Sequence, residues 1–279
     1  MTRQLSEKYT RLKEIISGFD SVLVAYSGGL DSAFLLFASV ESLEPENVYA
    51  FTADSPSYPR AELERSRSFA QSLGLGDHYR VISTNEIIDP RYAANSSERC
   101  FFCKQELYRR LTEAAVFENV DVVFDGFNAD DVGDFRPGRK AAEKFSVRSP
   151  LFEAGLTKSD LRRLAKEFEL PFWDKPQSAC LASRIPYGSP VTVEKLRQVE
   201  EAEAYLHSLG FRQLRVRHHD RLARIELMTE ELEKIMQPDI RNKVNERFRE
   251  LGFIWVALDL AGFHTGSMNK ALKRSADDV

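Results

Sequence analysis

The sequence predicts an α/β protein with a doubly wound, Rossmann-like parallel sheet, followed by a smaller C-terminal α+β domain. In the first half, short β-branched and apolar runs alternate with stretches of helical periodicity, a pattern typical of parallel strands joined by crossover helices. In the second half, two adjacent strand-like runs form a hairpin pattern between helical segments, and a proline-containing stretch separates the halves. We therefore predict a domain over 1–173, a linker over 174–191 and a second domain over 192–279.

The first strand and the helix after it are the clearest elements of the first half. Residues 22–24 are apolar and include two β-branched valines, as in a buried parallel strand, and apolar residues recur at helical spacing from Leu30 to Val40. Thr157 and Asp160 form a capping pair for a later helix, which Pro171 ends. The same reading predicts strands at 48–53, 78–83 and 121–126, and helices at 60–73, 100–116 and 158–169.

The second half has a different pattern of elements. Two strand-like runs flank Asp220 and predict a hairpin. Glycines at positions 210 and 252 end the helices that precede them. The predicted elements are helices at about 192–209, 229–236 and 239–251, and strands at 213–219, 221–227 and 254–260.

The junction between the first strand and its helix carries the most specific motif. Gly28 and Gly29 let backbone N–H groups approach an anion, which a Cβ atom would obstruct. The hydroxyls of Ser27 and Ser32 and the positive end of the helix are suited to the same phosphate. Asp31 would repel a bare phosphate, so its presence indicates Mg²⁺ between the carboxylate and a nucleotide. No Walker or dinucleotide-binding pattern follows this strand.

The string S-G-G-x-D-S resembles the PP-loop of ATP pyrophosphatases. That resemblance implies that ATP is cleaved between its α- and β-phosphates and that a substrate is adenylated. We expect Gly126, which ends another predicted strand, to line the same nucleotide site. The acids around it either assist Mg²⁺ or form a solvated acidic turn; these are Asp125, Asp130, Asp131 and Asp134.

The three cysteines indicate a metal or sulfur function. Cys100 and Cys103 are one helical turn apart, and Cys180 lies in the predicted linker. Three thiolates are too few for a closed zinc site of four cysteines, whereas a 4Fe–4S cluster held by three thiolates keeps one iron open. Zinc completed by another residue, and redox-active or inert thiols, stay open as alternatives.

Motifs along nearly the whole chain make the resemblance more specific. Together they resemble the LarE family, ATP-dependent sulfur transferases that act in synthesis of the nickel-pincer nucleotide cofactor. The motifs are SGGLDS, DGFNADD, GDFRPGRKA, SRIPYG, RVRHHDRLARIEL and LDLAGFHTGSMN. The resemblance implies MgATP-dependent adenylation of pyridinium-3,5-biscarboxylic acid mononucleotide, followed by displacement of AMP by sulfur to give a thiocarboxylate.

The same resemblance implies roles for individual residues. Cys180 matches a sulfur-donor cysteine, and Cys100 and Cys103 match the extra pair of the family's three-cysteine, iron–sulfur type. Arg184, Arg215 and Arg217 match a region that binds the substrate's phosphate. Glu203 and Glu226 match positions near the sulfur site, or else form salt bridges. Lys104 and Lys175 are candidates to reach ATP phosphates or a thiolate, and we expect His218 and His219 to be structural.

Composition limits the classes of partner. A net charge of −4 and a sequence pI of about 5.9 give no support to a nucleic-acid surface. No apolar run approaches the roughly 20 residues needed to cross a bilayer, and the polar start is not a signal peptide. We expect a cytoplasmic enzyme with a small-molecule substrate, a sulfide donor, no nucleic-acid or membrane partner, and the homo-oligomeric state of the family.

Two other functions stay open. The first is 2-thiolation of tRNA, because PP-loop enzymes with a C-x-x-C pair and a distant cysteine also carry out that reaction. The second is an ATP-binding redox sensor without catalysis, whose thiols report oxidation.

Overall fold

The computed structural model describes residues 1–133, 138–175 and 179–264. The chain divides into two compact units. Unit 1 comprises Met1–Glu86 and Glu98–Ser178, and unit 2 comprises Ile87–Ser97 and Ala179–Val279. The segment carrying Asp134 and the end of the last predicted motif, 265–269, lie outside the described residues.

The α-helices of unit 1 alternate with its strands. They are α1 Arg3–Ile16, α2 Leu30–Leu43, α3 Arg60–Ser72, α5 Arg99–Glu118, α6 Gly138–Lys144, α7 Pro150–Glu153 and α8 Lys158–Glu167. Those of unit 2 are α4 Pro90–Ala93, α9 Val193–Ser208, α10 Leu232–Met236 and α11 Pro238–Glu250.

Four parallel strands form the sheet of unit 1, in the order β3-β2-β1-β4. The strands are β1 Val22–Ala25, β2 Val48–Asp54, β3 Tyr79–Ser83 and β4 Val122–Phe124. Because β1 lies between β2 and β4, the direction of winding reverses beside β1. Open α/β sheets bind ligands beyond the carboxyl ends of their strands at such a point.

Helices cover both faces of this sheet. Val22 and Val24 pack with α1, α2 and α8 on one face, whereas Leu23 and Ala25 pack with α5 and α6 on the other. Such two-sided burial explains why β1 is continuously apolar rather than alternating. The α/β fold with a doubly wound parallel sheet and a smaller α+β unit is confirmed.

Unit 2 contains a three-stranded sheet in the order β5-β6-β7. Its strands are β5 Leu214–His219, β6 Leu222–Leu227 and β7 Trp255–Leu258. The predicted hairpin pairs β5 with β6 through Asp220, which adopts φ of 54°. The segment 87–97 also belongs to unit 2, because Asn95 donates to the carbonyls of Pro186 and Ser189 at 2.7 and 2.8 Å.

Several predicted elements differ in detail from those observed. Helix α1 is not anticipated by our sequence analysis, although Leu5, Tyr9, Leu12 and Ile16 have helical spacing and are buried. The predicted helix over 229–236 starts with a 3₁₀ turn at Thr229–Glu231, and only Leu232–Met236 is α-helical. The capping box of Thr157 and Asp160 at α8 is confirmed.

None of the helices in the described part of the chain has the length and apolarity that a membrane span needs.

Candidate active site

The PP-loop begins where β1 ends. Tyr26 continues the sheet, because its amide donates to the Phe51 carbonyl at 2.9 Å. The loop then turns through residues 27–29 into α2. It therefore lies at the carboxyl edge of the sheet, at the end of β1, where the direction of winding reverses.

Close approach of neighbouring atoms requires glycine at two positions of this edge, Gly28 and Gly126. Gly28 has φ of 65°, and a Cβ atom there would lie 2.1 Å from the Ser66 hydroxyl. A Cβ atom on Gly126 would lie 3.0 Å from the Ser32 backbone nitrogen. Gly29 is the N-cap of α2 and supplies no capping side chain. The sequence thus leaves the amides of the first helical turn open to an anion.

The two serine hydroxyls of the loop contact each other. Their oxygens are 3.0 Å apart, and the Ser27 amide donates to the Ser32 hydroxyl at 3.1 Å. The Ser32 hydroxyl donates to the Gly29 carbonyl at 3.2 Å. Asp31 lies in the first turn of α2 and is partly exposed. The sequence motif therefore forms one local structure.

Asp125 is a buried carboxylate that directly follows β4. Its oxygens accept from the Tyr108 hydroxyl at 2.6 Å and the Ser149 hydroxyl at 2.7 Å. Burial raises the pKa of Tyr108 well above its usual value, and the charge of Asp125 adds to the effect. Asp131 is also buried and pairs with Lys158 at 3.0 Å. A solvated acidic turn therefore does not describe these two residues, whereas Asp130 is exposed.

The first cysteine pair lies near this edge within unit 1. Cys100 and Cys103 are in the first two turns of α5, and neither forms a disulfide. The charge of Cys103 contributes to raising the pKa of Tyr108, which bonds to Asp125. The Lys104 ammonium lies 5.2 Å from the centre of the Tyr108 ring. Cys103 thus lies near Tyr108, whose hydroxyl donates to the residue that precedes Gly126.

The third cysteine belongs to unit 2. Cys180 is exposed and precedes a 3₁₀ turn, Leu181–Arg184. Across residues 1–133, 138–175 and 179–264, no three His, Cys, Asp or Glu side chains form a group able to hold a metal ion. The shared site of Cys180 with the pair on α5 stays a prediction.

Arg184 fixes the backbone around Cys180. Its guanidinium donates to both carboxylate oxygens of Glu203 at 2.9 Å, and to the carbonyls of Ala179 and Cys180 at 2.6 and 3.0 Å. Both side chains are buried. This bidentate ion pair is the salt-bridge alternative for Glu203. A phosphate contact by Arg184 stays a prediction.

The other two predicted arginines lie on β5. Arg217 is buried, donates to Glu226 at 2.7 Å and to the Ser183 carbonyl at 3.0 Å. Arg215 is partly exposed, and it pairs in register with Glu226. Burial, followed by the charge of Arg184, lowers the pKa of Arg215 to about 10. An added anion would therefore relieve the cost of its positive charge.

The two histidines of β5 have structural contacts, as expected. The His218 ring bonds to the Gln198 side chain at 2.8 Å and packs on Phe253. His219 accepts from Arg224 at 3.3 Å.

Two known proteins are similar to this chain over 97% of its length. No family model matches it. An uncharacterized protein of Synechocystis sp. is 40% identical over 97% of this chain and 100% of its own length. The pyridinium-3,5-bisthiocarboxylic acid mononucleotide synthase of Lactiplantibacillus plantarum is 35% identical over 97% of each chain.

The chain belongs to the LarE family. A shorter match supports the PP-loop assignment: an NH₃-dependent NAD⁺ synthetase of Methanococcoides burtonii is 33% identical over 73 residues, 26% of this chain and 27% of its own. This LarE family member is thus a PP-loop, ATP-dependent enzyme.

The structure also shows residues around the PP-loop that our sequence analysis missed or left undecided. The Tyr58 hydroxyl donates to the Ser27 carbonyl at 2.8 Å. Lys175 donates to the Gly28 carbonyl at 2.7 Å and pairs with Glu62. No sequence motif marks Tyr58 or Glu62, because both contact the loop from outside the strand and helix that form it. Lys175 was a candidate, but for phosphate or thiolate rather than for a loop carbonyl.

Proposed function

We propose that this LarE family member is a sulfur transferase acting on pyridinium-3,5-biscarboxylic acid mononucleotide, in synthesis of the nickel-pincer nucleotide cofactor. The observation that carries the proposal is the match over 97% of both chains to the synthase of L. plantarum. The match includes both the PP-loop and the arginines of β5. Accordingly, we assign nucleotide binding to the predicted domain 1–173 and substrate binding to 192–279.

Adenylation makes the substrate's carboxylate reactive toward a sulfur nucleophile. A carboxylate is a poor electrophile, because its leaving group would be an oxide. Attack of one carboxylate oxygen on the α-phosphorus of ATP forms an acyl adenylate and releases pyrophosphate. A sulfur nucleophile then attacks the acyl carbon, and the C–O bond to AMP breaks. The products are a thiocarboxylate and AMP that keeps the carboxylate's oxygen.

The residues of the PP-loop suit the first step. The amides of Gly28 and Gly29 and the positive end of α2 bind the pyrophosphate part of ATP. The hydroxyls of Ser27 and Ser32 complete the set of donors, and Gly126 leaves room for α2 to approach β4. The carboxylate of Asp31 is a hard oxygen donor in the first helical turn and would hold Mg²⁺.

The arginines of unit 2 suit the phosphate of a mononucleotide. Arg215 is the main candidate, because burial and the charge of Arg184 lower its pKa to about 10, and the phosphate of a bound substrate would stabilise its charged form. Arg217 and Arg184 form ion pairs with Glu226 and Glu203. We propose that they contribute charge near the phosphate and hold the backbone on which Arg215 and Cys180 lie.

We propose that the three cysteines hold an iron–sulfur cluster. Cys100, Cys103 and Cys180 form no disulfide, and the first two are one helical turn apart near the positive end of α5. These three would hold a 4Fe–4S cluster, which supplies an open iron for an extra sulfide. The alternative is a sacrificial route in which Cys180 gives up its own sulfur.

Pyrophosphate release tests the function. The enzyme, MgATP, the biscarboxylic acid mononucleotide and a sulfide source should release pyrophosphate and AMP in equal amounts, whereas ATP alone should give neither. Release that requires tRNA instead would establish the tRNA-thiolating alternative. Tight ATP binding without release, with either substrate, would favour the sensor.

Metal analysis separates the roles of the cysteines. After anaerobic purification we expect about four iron and four sulfide per chain, and Cys100→Ser should lose both. A chain mass lower by about 34 Da after one turnover, the mass of H₂S, would instead establish the sacrificial route. Zinc in place of iron would contradict the cluster.

A further inference from the structure

Two consecutive carbonyls of the PP-loop are held by side chains from outside the loop. The Tyr58 hydroxyl donates to the Ser27 carbonyl at 2.8 Å. The Lys175 ammonium donates to the Gly28 carbonyl at 2.7 Å. All four residues belong to unit 1. The two donors therefore act on adjacent peptide planes of the same turn.

Holding a carbonyl also fixes the amide on the other side of its peptide bond. In a trans peptide, the C=O of one residue and the N–H of the next point in opposite directions. The peptide bonds described here include no cis bond. Tyr58 thus orients the N–H of Gly28, and Lys175 orients the N–H of Gly29. Both amides point away from the side chains that hold their carbonyls.

Both holding groups are themselves fixed. The Tyr58 hydroxyl is 3.1 Å from the Ser66 hydroxyl, and burial raises the pKa of Tyr58 to about 12, so the hydroxyl remains a donor at neutral pH. Lys175 pairs with Glu62, and the two side chains are only 16% and 13% exposed. Glu62 balances the positive charge of Lys175. We therefore assign the effect of Lys175 on the PP-loop to its hydrogen bond with the Gly28 carbonyl.

We propose that Tyr58 and Lys175 are positioning residues that set the Gly28 and Gly29 amides in the orientation needed to bind the pyrophosphate part of ATP. Glycine makes the turn possible, but its freedom at φ also allows other orientations. Two external hydrogen bonds remove that freedom before the nucleotide arrives, so binding requires less ordering. The inference rests on the proposed nucleotide site and adds the groups that preorganise it.

Amide spectra of the nucleotide-free protein test the orientation directly. The chain has 14 glycines, of which Gly29 is the only one that follows a glycine and Gly28 is one of two that follow serine. Both amides can therefore be assigned by labelling the preceding carbonyl carbon. Tyr58→Phe should move the Gly28 amide resonance more than that of Gly29, and Lys175→Met should do the reverse.

Matched variants control for general effects. Tyr49→Phe removes a hydroxyl from a ring that stacks on His78, and Lys166→Met removes an ammonium that lies over Trp173. Neither should move the two loop amides. The inference is overturned if Tyr58→Phe and Lys175→Met leave both amide resonances in place, or move them no more than the controls do.

Binding separates this inference from the proposed function. Each variant should weaken binding of MgATP and of magnesium pyrophosphate by about fivefold to tenfold, the effect of one lost hydrogen bond. The two ligands should be affected equally, because orientation of the loop serves both. Wild-type affinities in both variants would overturn the inference alone. A wild-type protein that binds neither ligand would overturn the proposed nucleotide site itself.

Discussion

We propose that the PP-loop of unit 1 and the arginine cluster of unit 2 bind anions in two different ways. The arginine cluster consists of Arg184, Arg215 and Arg217 with Glu203 and Glu226. The PP-loop offers backbone amides and small side chains, and its carbonyls are tied to Tyr58 and Lys175. The arginine cluster offers full charges, and Arg184 and Arg217 are paired with the buried carboxylates of Glu203 and Glu226.

This difference has consequences for stability and for binding. Backbone amides carry only partial charges, so the amides of the PP-loop do not need a counterion when no nucleotide is bound. A buried arginine without its carboxylate is far more costly. We therefore expect truncation of a side chain to lower the free energy of unfolding strongly in the arginine cluster and weakly in the PP-loop. Replacement of a glycine by alanine should have a larger effect in the PP-loop than truncation of one of its side chains.

The largest effect should come from breaking a buried pair. Glu226 is fully buried and contacts both Arg217 and Arg224. Glu226→Ala should lower the free energy of unfolding by about 3–5 kcal/mol, because it leaves buried positive charge. Ser27→Ala in the PP-loop should change it by less than about 0.5 kcal/mol. Urea unfolding measures both, and equal effects would contradict the comparison.

The next effect concerns the backbone of the PP-loop. Gly28 and Gly155 have φ of 65° and 68°, but only at Gly28 would a Cβ atom meet a neighbour, Ser66. Gly155→Ala should cost about 1 kcal/mol for the left-handed conformation, and Gly28→Ala about 3 kcal/mol. Adding Ser66→Ala to Gly28→Ala should recover part of the difference. Equal costs at the two glycines would show that the close approach is relaxed in solution.

The fall in folding stability between pH 6.5 and pH 4 should arise in unit 2, which contains His218. Burial, and then the charge of Lys195, lowers the pKa of His218 to about 4 from the ordinary 6.5. The unfolded chain therefore takes up a proton first, and stability falls as the pH decreases from 6.5 to 4. The loss should be about 3 kcal/mol, and His218→Asn should flatten this part of the profile. The matched variant His78→Asn should keep the slope; an unchanged slope in His218→Asn would contradict the assignment.

The smallest effect should be on phosphate affinity. Arg215→Gln should weaken binding of the mononucleotide by about tenfold, because it removes one charge-assisted contact. Arg212→Gln, an exposed arginine three residues earlier along the chain, should leave the affinity unchanged. Calorimetric titration measures both. Equal affinities in the two variants would mean that the phosphate binds elsewhere.

Sequence alone predicted the PP-loop better than the arginine cluster, for a physical reason. The PP-loop is local: a strand, two glycines and a helix are contiguous, and each has its own residue pattern. The capping box at Thr157 was predictable for the same reason. Helix α1 was missed although its buried residues have helical spacing, so a signal was available there.

The arginine cluster depends on contacts between distant parts of the chain. The sequence left Glu203 and Glu226 with two alternatives, because the partner of a charged residue is fixed only when separate elements pack. Arg184 and Glu203 are 19 residues apart, and Arg217 and Glu226 meet across a hairpin. The membership of 87–97 in unit 2 also depends on such contacts, made by Asn95.

The most direct test of the central claim follows an oxygen atom. The mononucleotide should be prepared with ¹⁸O in its carboxylates and incubated with the enzyme, MgATP and a sulfide source. If ATP activates the carboxylate and sulfur then displaces AMP, the recovered AMP should be heavier by about 2 Da, because one carboxylate oxygen stays on its phosphorus. Thiocarboxylate formed together with unlabelled AMP, or with ADP, would contradict the account.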